Sequence, residues 1–454
     1  MEQSPSNDRA LTLDEAVAVA LALQQAEQWA AAEDIYRSVL EVAPSHADAL
    51  HFSGVLAHQQ RRAEDAITLI ERSIELEPVR ADWYSNLGIV LQDQLRLDDA
   101  VTAYRSAIAL DPAHANAHSN LGVVLRATGK VAEAETAYRA AIRLDPEHSD
   151  AYHNLGVLLN AQKRPREAAF CFSKVITLRP RDPEARRLLA LAHCTLGEVD
   201  QAVEIFENWL EDDPDDPIAR HMLAACSGRN VPPRASDAFI ESTFDSFAAS
   251  FDSKLSKLLY RAPGLVAEML KRSDVAPSMA LDVLDVGCGT GLCGPLIAPY
   301  ARRLVGVDLS ERMLDQAGER NVYDELVKCE LTAYLAGCTE TFDVIVSADT
   351  LVYFGPLEPV VGAAEHALSS GVRLIFTVEE LVGAGHGDGY SIGTSGRYRH
   401  ARDHVQRVLE AANLRPEIAS AELRLEAGEP VAGLVVRGTK PVVDGWRGEW
   451  EKTS

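Results

Sequence analysis

Residues 281–294 read LDVLDVGCGTGLCG, with Asp285 two positions ahead of three alternate glycines, Gly287, Gly289 and Gly291. Glycine loses more freedom on ordering than any other residue, so this density signals a backbone that bends tightly or is approached closely. A dinucleotide fingerprint spaces its glycines G-x-G-x-x-G and admits a pyrophosphate onto a helix N-terminus. Here the spacing is G-x-G-x-G, and a carboxylate at Asp285 would repel a pyrophosphate. A cofactor with an amino group and no phosphate suits that acid better. Asp308 ends the next apolar run, RLVGVDL (303–309), where an acid can accept both hydroxyls of a ribose. Downstream, Asp349 and Tyr353 follow FDVIVSA (342–348), and Arg397, Tyr398 and His400 stand in SGRYRH. These five are the candidate reactive residues. A general base is needed only if the reacting group arrives protonated. His400 reads as that base or as a helix-end residue, and Arg397 as a carboxylate clamp or the partner of a surface acid.

Strands and helices must alternate to hold such residues. LDVLDV (281–286), RLVGVDL (303–309), FDVIVSA (342–348) and VRLIFTVE (372–379) read as strands. Between them, 292–301 reads as a short helix, 310–320 as a helix capped by Ser310, and YFGPLEPVVGAAEHAL as a third. Residues 400–414 form an amphipathic helix, and 424–438 a hairpin turned at Gly428–Pro430. This pattern predicts a mostly parallel sheet wrapped by helices, with an antiparallel hairpin at its end. Ligands of such sheets sit beyond the carboxyl ends of the strands. The stretch 239–270, with Phe244, Phe247 and Phe251 and with Ser242 or Asp245 as a cap, reads as a helical lid over that pocket.

The first half is a repeat. Glycines 54, 88, 122 and 156, prolines 44, 78, 112, 146, 180 and 214, and alanines 32, 66, 100, 134, 168 and 202 all step by 34 residues. Tyr36, Ile70, Tyr104, Tyr138, Phe172 and Phe206 follow each alanine by four. The small residues let helices approach, the aromatics fill the space between repeats, and each proline ends a helix. The spacing resembles the tetratricopeptide repeat, with six repeats over 13–216 and a capping helix to 225. Residues 226–238, with two adjacent prolines, read as a linker. Asn86, Asn120 and Asn154 recur at one repeat position, and an amide can both donate to and accept from a peptide backbone. This resembles the asparagine ladder in the repeats of O-GlcNAc transferases; the other reading is local helix-end pairing.

Charge narrows the partners. The formal net charge is −24, of which residues 231–454 carry −10 (22 Lys+Arg against 32 Asp+Glu). Neither half is basic, which argues against nucleic acid or an anionic membrane as the main partner. Seven scattered cysteines without a C-x-x-C pair suit reduced thiols, and Cys288 and Cys293 read as small packing residues. No metal site is expected, since His386, His400 and His404 lack partner carboxylates at ligand spacing. The polar, acidic N-terminus has no signal-peptide core, so a cytoplasmic location is expected.

DVGCGTG, VGVDLSERML and FDVIVSADTLVYF, in that order, resemble the class I S-adenosylmethionine-dependent methyltransferases. Together with the repeat, that resemblance implies an all-α repeat superhelix followed by an α/β Rossmann-like methyltransferase domain over 271–440. It implies S-adenosyl-L-methionine as cofactor, with Gly287, Gly289 and Gly291 approaching its methionine and ribose parts. Asp285 would lie near the methionine ammonium and Asp308 at the ribose. Leu309 and Met313 would flank the adenine, with Glu330 at its amino group, where relatives often have Asp. Cys288, Leu331 and Ala348 would complete the site. The runs FDSFAASFD and GYSIGTSGRYRHARDHV extend the resemblance to bacterial predicted methyltransferases that carry tetratricopeptide repeats. The acceptor is then a small or carrier-bound molecule, with the repeats as a partner or oligomerisation surface. The alternatives are a peptide or protein presented in the repeat groove, or a repeat scaffold with a vestigial methyltransferase. Residues 231–454 are expected to bind cofactor without the repeats.

Overall fold

The computed structural model describes residues 11–272, 277–383, 387–426 and 429–441. The chain forms two compact units, one ending at Ala185 and one beginning at Arg186. Its fold is a superhelix of helix-pair repeats followed by a mostly parallel mixed sheet.

In the first unit, helix pairs run from Leu13–Gln25 to Pro165–Leu178 at the expected step. The glycine and aromatic landmarks belong together. A Cβ added at Gly88 would lie 2.6 Å from the Tyr104 ring, and one at Gly122 would lie 2.6 Å from Tyr138. Both tyrosines are fully buried. The aromatics therefore fill the space within each helix pair, rather than between successive repeats. The missing side chain is what admits the ring.

The second unit holds the Val199–Asp212 and Pro217–Ser227 helices, then Asp237–Asp245, Phe251–Lys257 and Ala262–Lys271, and then the sheet. Its strands are β1 (Leu281–Val286), β2 (Ala301–Asp308), β3 (Glu325–Lys328), β4 (Phe342–Ser347), β5 (Leu368–Glu380), β6 (Tyr390–Ile392), β7 (Tyr398–His400), β8 (Arg415–Glu426) and β9 (Glu429–Thr439). The order β3-β2-β1-β4-β5 is parallel throughout, and β9 joins β5 antiparallel and carries β8. The chain winds outward from β1 in both directions, so a crevice opens beside its carboxyl end. Val283, Val344 and Val346 face one apolar layer, with Val266, Met269 and Leu270 of the Ala262–Lys271 helix. Leu284, Val305, Ile345 and Phe376 face the other, under the Glu358–Ala367 and Arg402–Ala411 helices.

Several expectations need correction. The helix expected over 292–301 is only Gly294–Ile297, because Pro299 cannot donate to a continuing turn, and β2 begins at Ala301. β3, β6 and β7 were not anticipated. The expected linker is packed: Ala235 N donates to Tyr353 O at 2.8 Å and Gly355 N to Pro233 O at 2.8 Å. Ser236, not Ser242 or Asp245, caps the Asp237–Asp245 helix. The Ala262–Lys271 part of the expected lid is core. The hairpin extends over β8 and β9, and Gly428, like His386, lies outside the described residues.

The boundary of the second unit lies upstream of the expected linker, and the Pro217–Ser227 helix shows why. Burial lowers the His221 pKa, so its ring is neutral and Nε2 donates to Gly396 O at 2.8 Å. The same ring stacks on Phe239 at 4.0 Å between centroids. One histidine thus ties a repeat helix to the turn before β7 and to the start of the lid.

Candidate functional site

One cavity of about 310 Å³ opens at the carboxyl ends of β1 to β4, a volume within the range of small-molecule sites. Gly287, Gly289 and Gly291 all take left-handed φ angles, of 71°, 54° and 77°. Their reasons differ. A Cβ at Gly287 would meet the Thr350 side chain at 2.3 Å, whereas nothing lies within 4 Å of one at Gly289. Gly287 is required by packing and turn geometry; Gly289 leaves its backbone open. Gly289 N and Ser310 N each donate to a different oxygen of Asp308, both at 2.9 Å. Burial nonetheless raises the Asp308 pKa, against the pull of these two backbone donors.

Leu309, Met313, Cys329, Leu331 and Ala348 form an apolar slot beside Asp308. Glu330 closes it. Its Oε2 caps the Leu331–Gly337 helix by accepting from Ala333 N at 2.8 Å. Its Oε1 is buried and has no hydrogen-bond partner among the described residues. A buried, unpaired acceptor is costly, so it marks a place where a ligand donor belongs. Burial raises the Cys288 thiol well above its ordinary range, so it stays an un-ionised wall residue.

Asp285 stands apart. It shares the β1 face of Val283 and lies outside the cavity lining. Its Oδ2 accepts from Tyr323 OH at 2.7 Å, and its Oδ1 is buried without a partner among the described residues. Burial pushes its pKa up to about 7, with the Tyr323 hydroxyl pulling the other way.

The lid closes over the loop. Phe244, Phe247 and Phe251 pack on one another at 5.6–6.1 Å and line the cavity. Two aspartates fasten this segment. Asp245 accepts from Ser310 Oγ, and Asp252 accepts from Thr290 Oγ1 and Arg320. The lid is thus pinned to the glycine loop and to the turn after β2.

The opposite end of the cavity is charged. Asp349 follows β4 by two residues at a φ of 60°, a left-handed strain of about 1–3 kcal/mol for a non-glycine residue. Thr377 Oγ1 accepts from its backbone N–H at 2.8 Å. Its Oδ2 accepts from Arg424 Nη1 at 2.6 Å; its Oδ1 is buried and unpartnered among the described residues. Arg424, itself 4% exposed, also donates to Glu379 and, at 2.8 Å, to Glu426. Arg397 donates to Glu379 at 2.6 Å and to Glu426. Burial works to raise Glu379, but Arg397 and Arg424 hold it below the usual carboxylate range. Burial raises Asp349 despite Arg424, and lifts the Tyr353 phenol to about 12.

Of the five acceptor candidates, Asp349, Tyr353 and Arg397 line this end. Tyr398 and His400 do not. The Tyr398 hydroxyl donates to Pro232 O, and His400 Nε2 donates to Gly355 O at 2.9 Å. Burial takes the His400 pKa down to about 4, so it serves as a neutral strut and not as a base in the cavity. Nor is Arg397 available as a carboxylate clamp in the expected sense, because two glutamates occupy it. Arg424, Glu379, Glu426 and Tyr260 were missed. A signal existed for Glu379: a carboxylate in the long apolar strand β5 must find a buried cation.

In the first unit, Asn86, Asn120 and Asn154 line one groove with Asp82, His114 and His148. Asn86 is tied back by its Nδ2 to His51 Nε2 at 3.1 Å. Burial takes His51 down to about 3, so it is a neutral acceptor there, stacked on Trp83. Among the described residues, no three His, Cys, Asp or Glu side chains gather to hold a metal ion. No described helix is long and apolar enough to cross a membrane.

Residues 18–86, 85–149 and 125–171 match a family model described as tetratricopeptide repeat, and 159–226 match another of that description. Residues 283–371 match a model described as methyltransferase domain. The chain therefore carries tetratricopeptide repeats followed by a methyltransferase domain. Methyltransferase-like protein 27 of Homo sapiens is 37% identical over 110 residues, or 24% of this chain and 45% of that protein. The 18S rRNA (guanine-N(7))-methyltransferase of Bos taurus is 35% identical over 65 residues, or 14% of this chain and 23% of that protein. A ubiquinone biosynthesis O-methyltransferase of Coxiella burnetii is 28% identical over 98 residues, or 21% of this chain and 42% of that protein. The chain spans less than half the length of each of these relatives.

Proposed function

We propose that this protein is an S-adenosylmethionine-dependent methyltransferase acting on a small or carrier-bound acceptor, with the repeats as a partner or oligomerisation surface. The pinned phenylalanine lid carries this reading. Two aspartates hold an apolar wall against the glycine loop and the turn after β2, and methyl transfer requires a site that aligns its reactants and excludes water.

The residues present fit the cofactor. Asp308 keeps lone pairs for a ribose beyond those used by Gly289 and Ser310. Glu330 Oε1 lacks a donor, and an adenine amino group would supply one. Leu309, Met313 and Leu331 offer the apolar slot for the base. Gly289 leaves room for close approach of the methionine part, and the unpartnered Asp285 Oδ1 beneath it suits an ammonium through a bridging water. When bound, S-adenosylmethionine supplies an electrophilic methyl group. The chain's own part is to hold it at Asp308 and Glu330, to shut out water with Phe244, Phe247 and Phe251, and to present the acceptor from the Asp349 end.

Asp308→Ala tests the cofactor assignment. The loss of charge-assisted hydrogen bonds should weaken S-adenosylmethionine binding by about 1.5–3 kcal/mol, roughly ten- to a hundredfold. Isothermal calorimetry on the full chain reads it. Unchanged affinity in a folded variant would remove the ribose role. A second reading, a peptide or protein acceptor presented by the repeats, draws on the groove that joins Asn86, Asn120 and Asn154.

A further inference from the structure

We propose that the acceptor carries an uncharged hydrogen-bond donor, a hydroxyl or a neutral amine, on an apolar body, that Asp349 Oδ1 receives that donor, and that acceptors bearing a carboxylate or phosphate at the reacting end are rejected. This rests on the methyltransferase reading and names the substrate class of the same site.

Three observations carry it. The first is the unpaired oxygen. Asp349 is fixed from two sides, by Thr377 on its backbone and by Arg424 on Oδ2. Its side chain therefore cannot turn to satisfy Oδ1, which is buried, in a residue that lines the cavity. Desolvating a carboxylate oxygen without a donor is costly, and a ligand O–H or N–H placed there would remove the cost.

The second is the fate of the cations. Arg424 spends its donors on Asp349, Glu379 and Glu426, and Arg397 on Glu379 and Glu426. Within this cluster three carboxylates face two guanidinium groups. Arg399 approaches Glu379 at 3.5 Å from a half-exposed position and does not line the cavity. Of the other cations on the cavity wall, Arg234 pairs with Asp237 at 2.6 Å, and Lys254 lies over the Phe247 ring of the lid at 4.9 Å. An anionic group brought to Asp349 would meet like charge with no unspent guanidinium beside it.

The third is the remaining wall. Phe244, Phe247, Leu255 and Leu258 supply apolar lining to the same cavity, and Tyr260 and Tyr353 stand beside Asp349. That surface fits an aromatic or aliphatic body, with the polar group confined to one end.

Three matched probes test the proposal: 4-ethylphenol, its methyl ether 4-ethylanisole, and 4-ethylbenzoate. Binding to the full chain is measured by ligand-observed NMR, with and without S-adenosylhomocysteine. We expect 4-ethylphenol to bind at least about tenfold more tightly than either of the others. In Asp349→Asn, which keeps an oxygen for Arg424, the gap should shrink to within about threefold while S-adenosylhomocysteine affinity is unchanged. Benzoate binding as tightly as the phenol, ether binding as tightly, or no binding of any probe would overturn the proposal. Should Asp349→Asn fail to fold, the ranking in the unmodified chain still decides. Failure of S-adenosylhomocysteine to bind would count against the cofactor reading instead, because the ranking is also taken without it.

Discussion

Replacing Arg424 by methionine is expected to lower the free energy of unfolding by about 3–5 kcal/mol at neutral pH, the cost of stranding buried charge. The side chain is nearly the size of the one it replaces, so the loss is electrostatic. Arg397 still reaches Glu379 and Glu426, but Asp349 loses the ion pair it makes with Arg424. The pH dependence gives a further check. Burial already raises Asp349 above its ordinary value, and removing Arg424 raises it more. A carboxyl with a raised folded-state pKa contributes stability at low pH and loses it as pH rises through that value. The deficit of the variant should therefore be smallest near the unfolded carboxylate pKa of about 4 and grow toward neutrality. Urea unfolding across that range reads it. Arg424→Lys should recover only part of the loss, because one ammonium cannot fork to three carboxylates. A deficit under about 1 kcal/mol would mean that the cluster is solvated.

A chain beginning at residue 231 is expected to be less stable by about 2–4 kcal/mol than one beginning at 186. The shorter chain lacks His221, exposing one face of Phe239, which is 5% exposed in the intact unit. Uncovering such a ring forfeits up to about 1.5–3 kcal/mol, and the His221–Gly396 bond about 1 kcal/mol more. The loss also reaches the site. Gly396 precedes Arg397, and Phe239 lies 6.4 Å from the Tyr353 ring. Thermal unfolding of the two fragments, with the full chain beside them, provides the comparison. Equal stability of the 231 and 186 fragments would return the domain boundary to the linker.

What could be read from the residues follows the range of the interactions. The repeat was legible because a strict step of 34 residues fixes each glycine, aromatic and proline within one helix pair. The glycine loop, Asp308 and the Ser310 cap were legible because each lies within a few residues of a strand end. The charged cluster was not. Arg424 meets Glu379 and Asp349 across separations of 45 and 75 residues, and only the placement of β8 and β5 in one sheet joins them. β6 and β7 are three residues each, too short to show an alternation. His400 has the residue type of a base, but its orientation is set by Gly355, far away in sequence. Asp285 was legible as an acid beside the loop, but its Tyr323 partner, 38 residues away, was not.

One titration tests the cofactor assignment most directly. Isothermal calorimetry of the full chain with S-adenosylmethionine, and separately with NAD, compares a sulfonium cofactor with a pyrophosphate one at the same glycine loop. Saturable 1:1 binding of S-adenosylmethionine, with NAD at least about a hundredfold weaker, is the predicted result. Preferential binding of NAD, or no binding of S-adenosylmethionine to a folded chain, would contradict it.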